Sequence, residues 1–250
     1  MKSLKKIVIV GATSAIAEHC ARLWTLKNPA EMVLVGRHLP KLEIIAQDLA
    51  VRSPNTKLTN LTVDFNNIEA IKNLVEQIYA SGVIDIVLIA HGSLPDQQTC
   101  QNNLKDCEEA ILVNGLSPIL FVEAFAKSME TNNHGTIAVI GSVAGDRGRK
   151  SNYIYGAAKG LVARYVQGLQ HRLASTNVKA VLIKPGPTDT PMTAHLKQTG
   201  TKLASVETVA QNIVNGIEKR KSVIYAPAKW ALIMLVIQHL PNFIFNKLNI

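Results

Sequence analysis

Within the nine residues 151–159, SNYIYGAAK, two tyrosines stand near one lysine. A phenol beside an ammonium can handle a proton, because the cation lowers a phenol pKa that is otherwise near 10. Helical geometry selects between the tyrosines. At about 100° per residue, Tyr155 and Lys159 are four apart and lie within roughly 40° of each other on one face. Tyr153, six residues from Lys159, points well away. If a tyrosine works with this lysine, it is Tyr155.

Two further polar residues come into play. Ser142 stands thirteen residues before Tyr155, at the end of an apolar run. A serine in that place is often turn chemistry alone, but Ser142 leaves the sheet beside the helix that carries Tyr155 and Lys159. Asn114 falls inside a long helical pattern, where a polar side chain must find a partner or water. It is either a satisfied helix asparagine or a bridge to Lys159 through water.

Positioning these groups takes a scaffold, and the apolar runs supply one. Strand-like runs occupy residues 6–10, 31–36, 57–65, 84–92, 135–142, 178–186 and 222–227. Helical patterns lie between them, through about Leu26 and near 38–52, 67–81, 104–130 and 153–175. Near-continuous apolar strands separated by helices predict a parallel sheet covered on both faces. The expected fold is α/β, a single-domain doubly wound Rossmann fold of about seven strands, with ligands at the carboxyl ends of the strands. Its expected extent is 1–228, followed by an apolar tail at 229–250.

The strand ends are informative. VGATSAIA opens a helix after the first strand, where a dinucleotide pyrophosphate would lie against free N–H groups. Gly11 would make the turn, with Thr13, Ser14, Ala15 and Ile16 around the phosphates. The second strand ends in Gly36 and Arg37, with no acidic residue for a ribose 2′-hydroxyl. An arginine there favours NADP(H), with NAD(H) as the alternative. Asp64 and Phe65 follow the third strand, and Asp64 either meets the adenine or caps the next helix. Ala90, His91 and Gly92 end the fourth strand. Pro185-Gly186 bends the chain after the sixth and presents Thr188 and Thr190 to the nicotinamide end.

Composition sets limits. The chain has 250 residues, 47% of them apolar, enough for one large core. The apolar run near the N-terminus breaks at Gly11 into a helical pattern, so it reads as a strand and not a signal peptide. Three cysteines without metal-ligand spacing, Cys20, Cys100 and Cys107, suit a reducing cytoplasm and predict no metal site. The net charge is +9, yet aromatics are only 5% and no nucleic-acid-binding motif accompanies the charge. Nucleic acid is therefore not an expected partner.

Together, Ser142, Tyr155-x-x-x-Lys159, Asn114, the Gly11 turn, Asp64 and Pro185-Gly186…Thr190 resemble the classical short-chain dehydrogenase/reductase family over almost the whole chain. The resemblance implies Tyr155 as general acid, Ser142 as carbonyl orienter, Lys159 on the nicotinamide ribose and Asn114 on a proton-relay water. It also implies a homodimer or homotetramer. The chain departs from the family pattern where Ala15 and Ala17 replace glycines and where IAHG (89–92) stands for NNAG. His91 reads as a structural filler near the cofactor.

The second half is similar to a narrower group, the reductase half of the decaprenylphosphoryl-ribose/arabinose epimerase. The segments carrying this are SVAGDRGRKSNYIYGAAK, KPGPTDTPMTAHLK and YAPAKWALIMLVIQHLPNFIFNKLNI. In that group a 2-keto-pentose on a polyprenyl phosphate is reduced, which implies a flavin oxidase partner that makes the keto-sugar. Arg147, Arg149 and Lys150, between Ser142 and Tyr155, are expected to bind the substrate phosphate. The tail is too short and interrupted to span a bilayer. It is expected to pack on the domain, on a second subunit, or as a peripheral contact on the inner face of the membrane. The alternatives are a reductase of small ketones or acyl-carrier substrates, and a non-catalytic NADP(H)-binding regulatory or scaffold protein.

Overall fold

Alternation within each strand distributes side chains between two cores. In β1 (Lys5–Val10), Val8 and Val10 enter one buried cluster while Ile7 and Ile9 enter another. β2 (Ala30–Gly36) repeats the pattern, with Val33 and Val35 on the first face and Met32 and Leu34 on the second. A strand apolar at every position can be satisfied only between two helical layers. The computed structural model, which describes residues 4–198 and 200–248, supplies both.

The remaining strands are β3 (Lys57–Thr62), β4 (Ile86–Ile89), β5 (Thr136–Ile140), β6 (Lys179–Pro185) and β7 (Val223–Ala226). They form one sheet in the order β3-β2-β1-β4-β5-β6-β7, and every neighbouring pair is parallel. The order reverses between β1 and β4, which opens a crevice at their carboxyl ends. The third and fourth apolar runs end furthest short, as strands, of what the sequence predicts. The third run is strand only through Thr62 and the fourth only through Ile89. Beyond these points single bonds persist, Val63 N–H to Gly36 O (3.1 Å) and Ala90 N–H to Val10 O (2.8 Å), while the chains diverge to line the crevice.

One helical layer holds α1 (Ala15–Lys27), α2 (Leu39–Arg52) and α9 (Val206–Glu218). The other holds α3 (Ile68–Ala80), α6 (Ser117–Asn132) and α7 (Tyr153–Arg172). α9 has no counterpart in the sequence expectations. It buries Val206, Val209, Ala210, Ile213, Val214 and Ile217, and Ser205 Oγ caps it by accepting from Thr208 N–H at 3.2 Å. Short helices α4 (Gln97–Asn102) and α5 (Leu104–Ile111) follow β4, and α8 (Ala194–Gln198) follows β6. The expected long helix around 104–130 is present as one run, in which α5 continues into α6 through a π-helical turn at Leu112–Leu116. The run Leu104–Asn132 is long and apolar enough to cross a membrane, but half of its apolar window is buried in the protein. It reads as a core helix.

After β7 the chain forms α10 (Lys229–His239) and α11 (Asn242–Phe245). α10 is apolar almost all round, yet only Met234 is fully buried. Leu232 (68% exposed), Leu235, Val236, Phe243 (71% exposed) and Ile244 face outward.

Candidate active site

α7 begins at Tyr153, so Tyr155 and Lys159 occupy its first two turns. Tyr153 is 44% exposed, while Tyr155 and Lys159 line a pocket of about 100 Å3 with Ser142 and Asn114. The helical-face argument thus holds for placement. Lys159 Nζ lies 5.8 Å from the Tyr155 ring centroid and donates to Ile140 O at 3.2 Å. Burial lowers the Lys159 pKa from 10.5 to about 8.

The expected lowering of the Tyr155 pKa is not what the protein's own groups produce. Burial, the larger cause, raises it, and a hydrogen bond with the Ser142 hydroxyl opposes that only in part. The phenolate is the form that burial disfavours.

Ser142 is in extended conformation at the end of β5, and its Oγ accepts from Ala144 N–H at 3.0 Å. It therefore caps the short turn Val143–Gly145 while facing the pocket. Asn114 sits inside the π turn and is fully buried. Its Nδ2 donates to Ala110 O (2.9 Å) and Ser93 Oγ (3.2 Å), and its Oδ1 accepts from Ser93 N–H (2.9 Å). π turns recur at functional sites because they displace one backbone register locally. The sequence carried no signal of this one.

Beside the pocket runs a groove of about 510 Å3 along the crevice. Gly11 makes the first turn at φ +80°, and a β-carbon there would lie 2.5 Å from His91 N, so the turn requires glycine. Its N–H and that of Ala12 both donate to Val35 O (2.9 and 3.0 Å). Thr13, Ser14, Ala15 and Ile16 line the groove, and Ser14 does not cap α1 with its side chain. The opening N–H groups of the helix, which have no intrahelical acceptor, are thus left without that cap.

Arg37 lines the groove with its guanidinium 5.8 Å from the Phe65 ring centroid. His38 and Lys41 join it there, two basic residues the sequence reasoning passed over. Their signal was the run RHLPK, which sets Lys41 about one helical turn from Arg37. Asp64 also lines the groove and accepts from Asn66 N–H at 2.9 Å. The capping alternative for Asp64 falls away, because Asn67 Oδ1 caps α3 through Ala70 N–H at 2.9 Å.

His91 is buried against Phe65 and Phe121, at 4.5 and 5.4 Å between ring centroids. Its Nε2 shares a hydrogen bond with Ser117 Oγ (2.9 Å), while its Nδ1 is buried without a partner among the described residues. Burial first, then Lys159 and Arg37, lowers its pKa to about 3, so it is neutral at physiological pH. Ala90 and Gly92 line both pocket and groove, as does Thr190. Pro185, Gly186 and Thr188 line the pocket, and Thr188 Oγ1 donates to Gly186 O at 2.8 Å.

The basic loop departs from expectation. Arg147 does not present its guanidinium to the pocket. It donates to Ile237 O and Leu240 O (both 2.6 Å) and to Asn242 Oδ1 (3.0 Å), and it stacks on Phe245 at 3.8 Å. Carbonyls in the last turn of α10 and at its C-terminal cap, together with an aromatic face, claim it first. Lys150 is exposed. Arg149 is half-buried with an unpartnered Nε, and burial lowers its pKa against the opposing influence of Asp146.

A model of the short chain dehydrogenase family matches residues 5–201, most of the chain. The chain belongs to this family. Proteins similar in sequence include an uncharacterised oxidoreductase of Streptomyces coelicolor, 26% identical over 98% of this chain and 96% of that protein. Another, from Staphylococcus aureus strain MRSA252, is 31% identical over 88% of this chain and 93% of its own length. Among solved structures, a short chain dehydrogenase from Burkholderia cenocepacia J2315 in complex with NADP superposes with a TM-score of 0.83 at 16% identity. That superposition covers 99% of this chain and 98% of the other. One from Sphingobium yanoikuyae in complex with NADPH gives 0.80 at 21% identity, covering 96% and 97%. At these identities the structural likeness is one of fold. Family membership makes the protein a dehydrogenase/reductase.

Proposed function

We propose that this family member reduces a keto group with NADPH as donor, and that the keto group belongs to a sugar carried on a polyprenyl phosphate. The observation that carries the first part is the convergence of Ser142, Asn114, Tyr155 and Lys159 in one pocket that opens into the groove. The groove's residues fit such a cofactor. The first turn of α1 lacks a side-chain cap, Arg37, His38 and Lys41 suit a 2′-phosphate, and His91 Nδ1 is an unpartnered buried polar atom beside it.

A nicotinamide held in the groove would supply the hydride. Negative charge then develops on the carbonyl oxygen, and the residues must orient and quench it. Ser142 Oγ orients the carbonyl, and the Tyr155 hydroxyl gives the proton. Lys159, with a pKa of about 8, is mostly ammonium at neutral pH and would hold the nicotinamide ribose. Asn114, held from two sides by Ser93, holds the relay water by which Tyr155 regains its proton.

Two features support a lipid-linked anionic substrate. Arg149 has an unpartnered Nε in the loop between Ser142 and Tyr155. The outer face of α10 and α11 offers apolar surface for a polyprenyl chain that a pocket of about 100 Å3 could not enclose. This reading places the protein peripherally on the cytoplasmic face of a membrane, with a flavin oxidase as supplier of the keto-sugar. The test is NADPH oxidation with a keto-pentose offered free and as its polyprenyl phosphate. Strong preference for the lipid-linked form is expected. Equal turnover of both removes the polyprenyl assignment and leaves a ketone reductase, and no turnover of any ketone leaves a nucleotide-binding protein.

A further inference from the structure

Asp146 and Arg147 are consecutive residues that fasten the Ser142–Tyr155 loop in two directions. Asp146 is buried in an ion pair with Lys184 of β6 and accepts from the Tyr225 hydroxyl of β7 at 3.0 Å. Arg147 holds Ile237, Leu240, Asn242 and Phe245 of the C-terminal segment. Just before them, Gly145 lies so close to α7 that a β-carbon would be 2.7 Å from the Lys159 carbonyl carbon. Movement of the loop is therefore movement against Lys159.

The C-terminal segment has a second footing. Trp230 is packed on Gly186, where a β-carbon would fall 1.9 Å from the indole nitrogen, and Gly186 lines the catalytic pocket. One short segment thus bears on two walls of the pocket, the Ser142 loop through Arg147 and the end of β6 through Trp230.

We propose that residues 229–248 act as a strut that sets the spacing of these two walls, with Arg147 as its latch. Arg147 is then a positioning residue that acts through Ser142, not a substrate ligand. Arginine suits the task because one planar guanidinium reaches several carbonyls and stacks on a ring at once, whereas a lysine is a point charge. The inference rests on the proposed reduction only for its rate readout.

The test uses the full-length chain with Arg147→Ala, Arg147→Lys, Phe245→Leu, Ser142→Ala and the Arg147→Ala/Ser142→Ala pair. Turnover of a small water-soluble ketone, NADPH affinity by fluorescence and thermal midpoint are measured for each. Arg147→Ala is expected to lower kcat about 10- to 100-fold, as misplacement of an orienting group does, with NADPH affinity within about twofold. Phe245→Leu, which keeps the fold's apolar bulk, should lower kcat in the same direction but less. In the Ser142→Ala background Arg147→Ala should cost much less rate than it does in the wild type, because the group it chiefly positions is gone and only the coupling of Gly145 to Lys159 is left. Full additivity of the two changes overturns the strut, as does an Arg147→Ala protein whose thermal midpoint falls while kcat per folded molecule is unchanged. If no ketone is reduced even by the wild type, NADPH binding still reports a folded groove, and the failure then lies with the proposed reaction. Limited proteolysis decides the latch in that case. Arg147→Ala must expose the chain near Leu240 to cleavage, and unchanged protection there overturns it.

Discussion

Lys159 Nζ stands 5.8 Å from the ring of Tyr155, one helical turn away on the buried face of α7, while Tyr153 looks to solvent. Tyr155→Phe is expected to cut turnover by at least about 10²-fold, the scale of a lost general acid, and to leave cofactor binding intact. Tyr153→Phe should cost little. Steady-state rates for the two variants check this, and an exchange of their behaviours removes Tyr155 from the chemistry.

Lys159 also carries a stability cost. Its pKa is about 8 in the folded chain against 10.5 for a free lysine, so folding disfavours the ammonium. The unfolded chain binds this proton up to pH 10.5 and the folded chain only to about 8. Lys159→Met should therefore raise the thermal midpoint at pH 7 while abolishing turnover. The gain should shrink as pH rises through that window, which a set of melts from pH 7 to 10 would show.

His91 acts at the other end of the scale. Its pKa falls from 6.5 to about 3, so the unfolded chain takes up a proton below pH 6.5 that the folded chain refuses. Stability should fall as pH drops through that range. His91→Asn is expected to flatten this part of the acid-unfolding curve, and an unchanged slope would show that other groups carry it.

Arg37 and Lys41 should set cofactor preference. Arg37→Ala and Lys41→Ala are each expected to weaken NADPH binding tenfold or more, about 1.4 kcal/mol, with NADH affected little. Isothermal titration with both nucleotides separates this from general damage to the groove, which would weaken both alike.

For the substrate, Arg149→Ala is the informative change, since Arg147 is occupied by the C-terminal segment. It should raise KM for the phosphate-linked keto-sugar while sparing a small neutral ketone. Equal losses on both substrates would take Arg149 out of substrate recognition.

Much of the architecture was legible because it depends on local pattern. The seven runs correspond to seven strands, the central ones because a strand buried on both faces is apolar nearly throughout, whereas β3 (KLTNLT) is a partly exposed edge strand. The Tyr155–Lys159 pairing followed from helical pitch alone. α9 has no counterpart among the expected helices, although Val206, Val209, Ala210, Ile213, Val214 and Ile217 recur at helical spacing and share its buried face.

What the sequence determined by itself was therefore the sheet, the turn at Gly11, and which tyrosine shares a face with the lysine. These follow from periodicity and backbone sterics, which act within a few residues. The tertiary structure decided the rest. It placed Asn114 in a π turn, matched Lys184 and Tyr225 to Asp146, and raised the Tyr155 pKa where a neighbouring ammonium had suggested the reverse. Above all it turned Arg147 away from a substrate and onto carbonyls ninety or more residues later in the chain. Burial and long-range partners set each of these, and a charge's partner is chosen by whichever unsatisfied group folding brings nearest, which spacing along the chain does not encode.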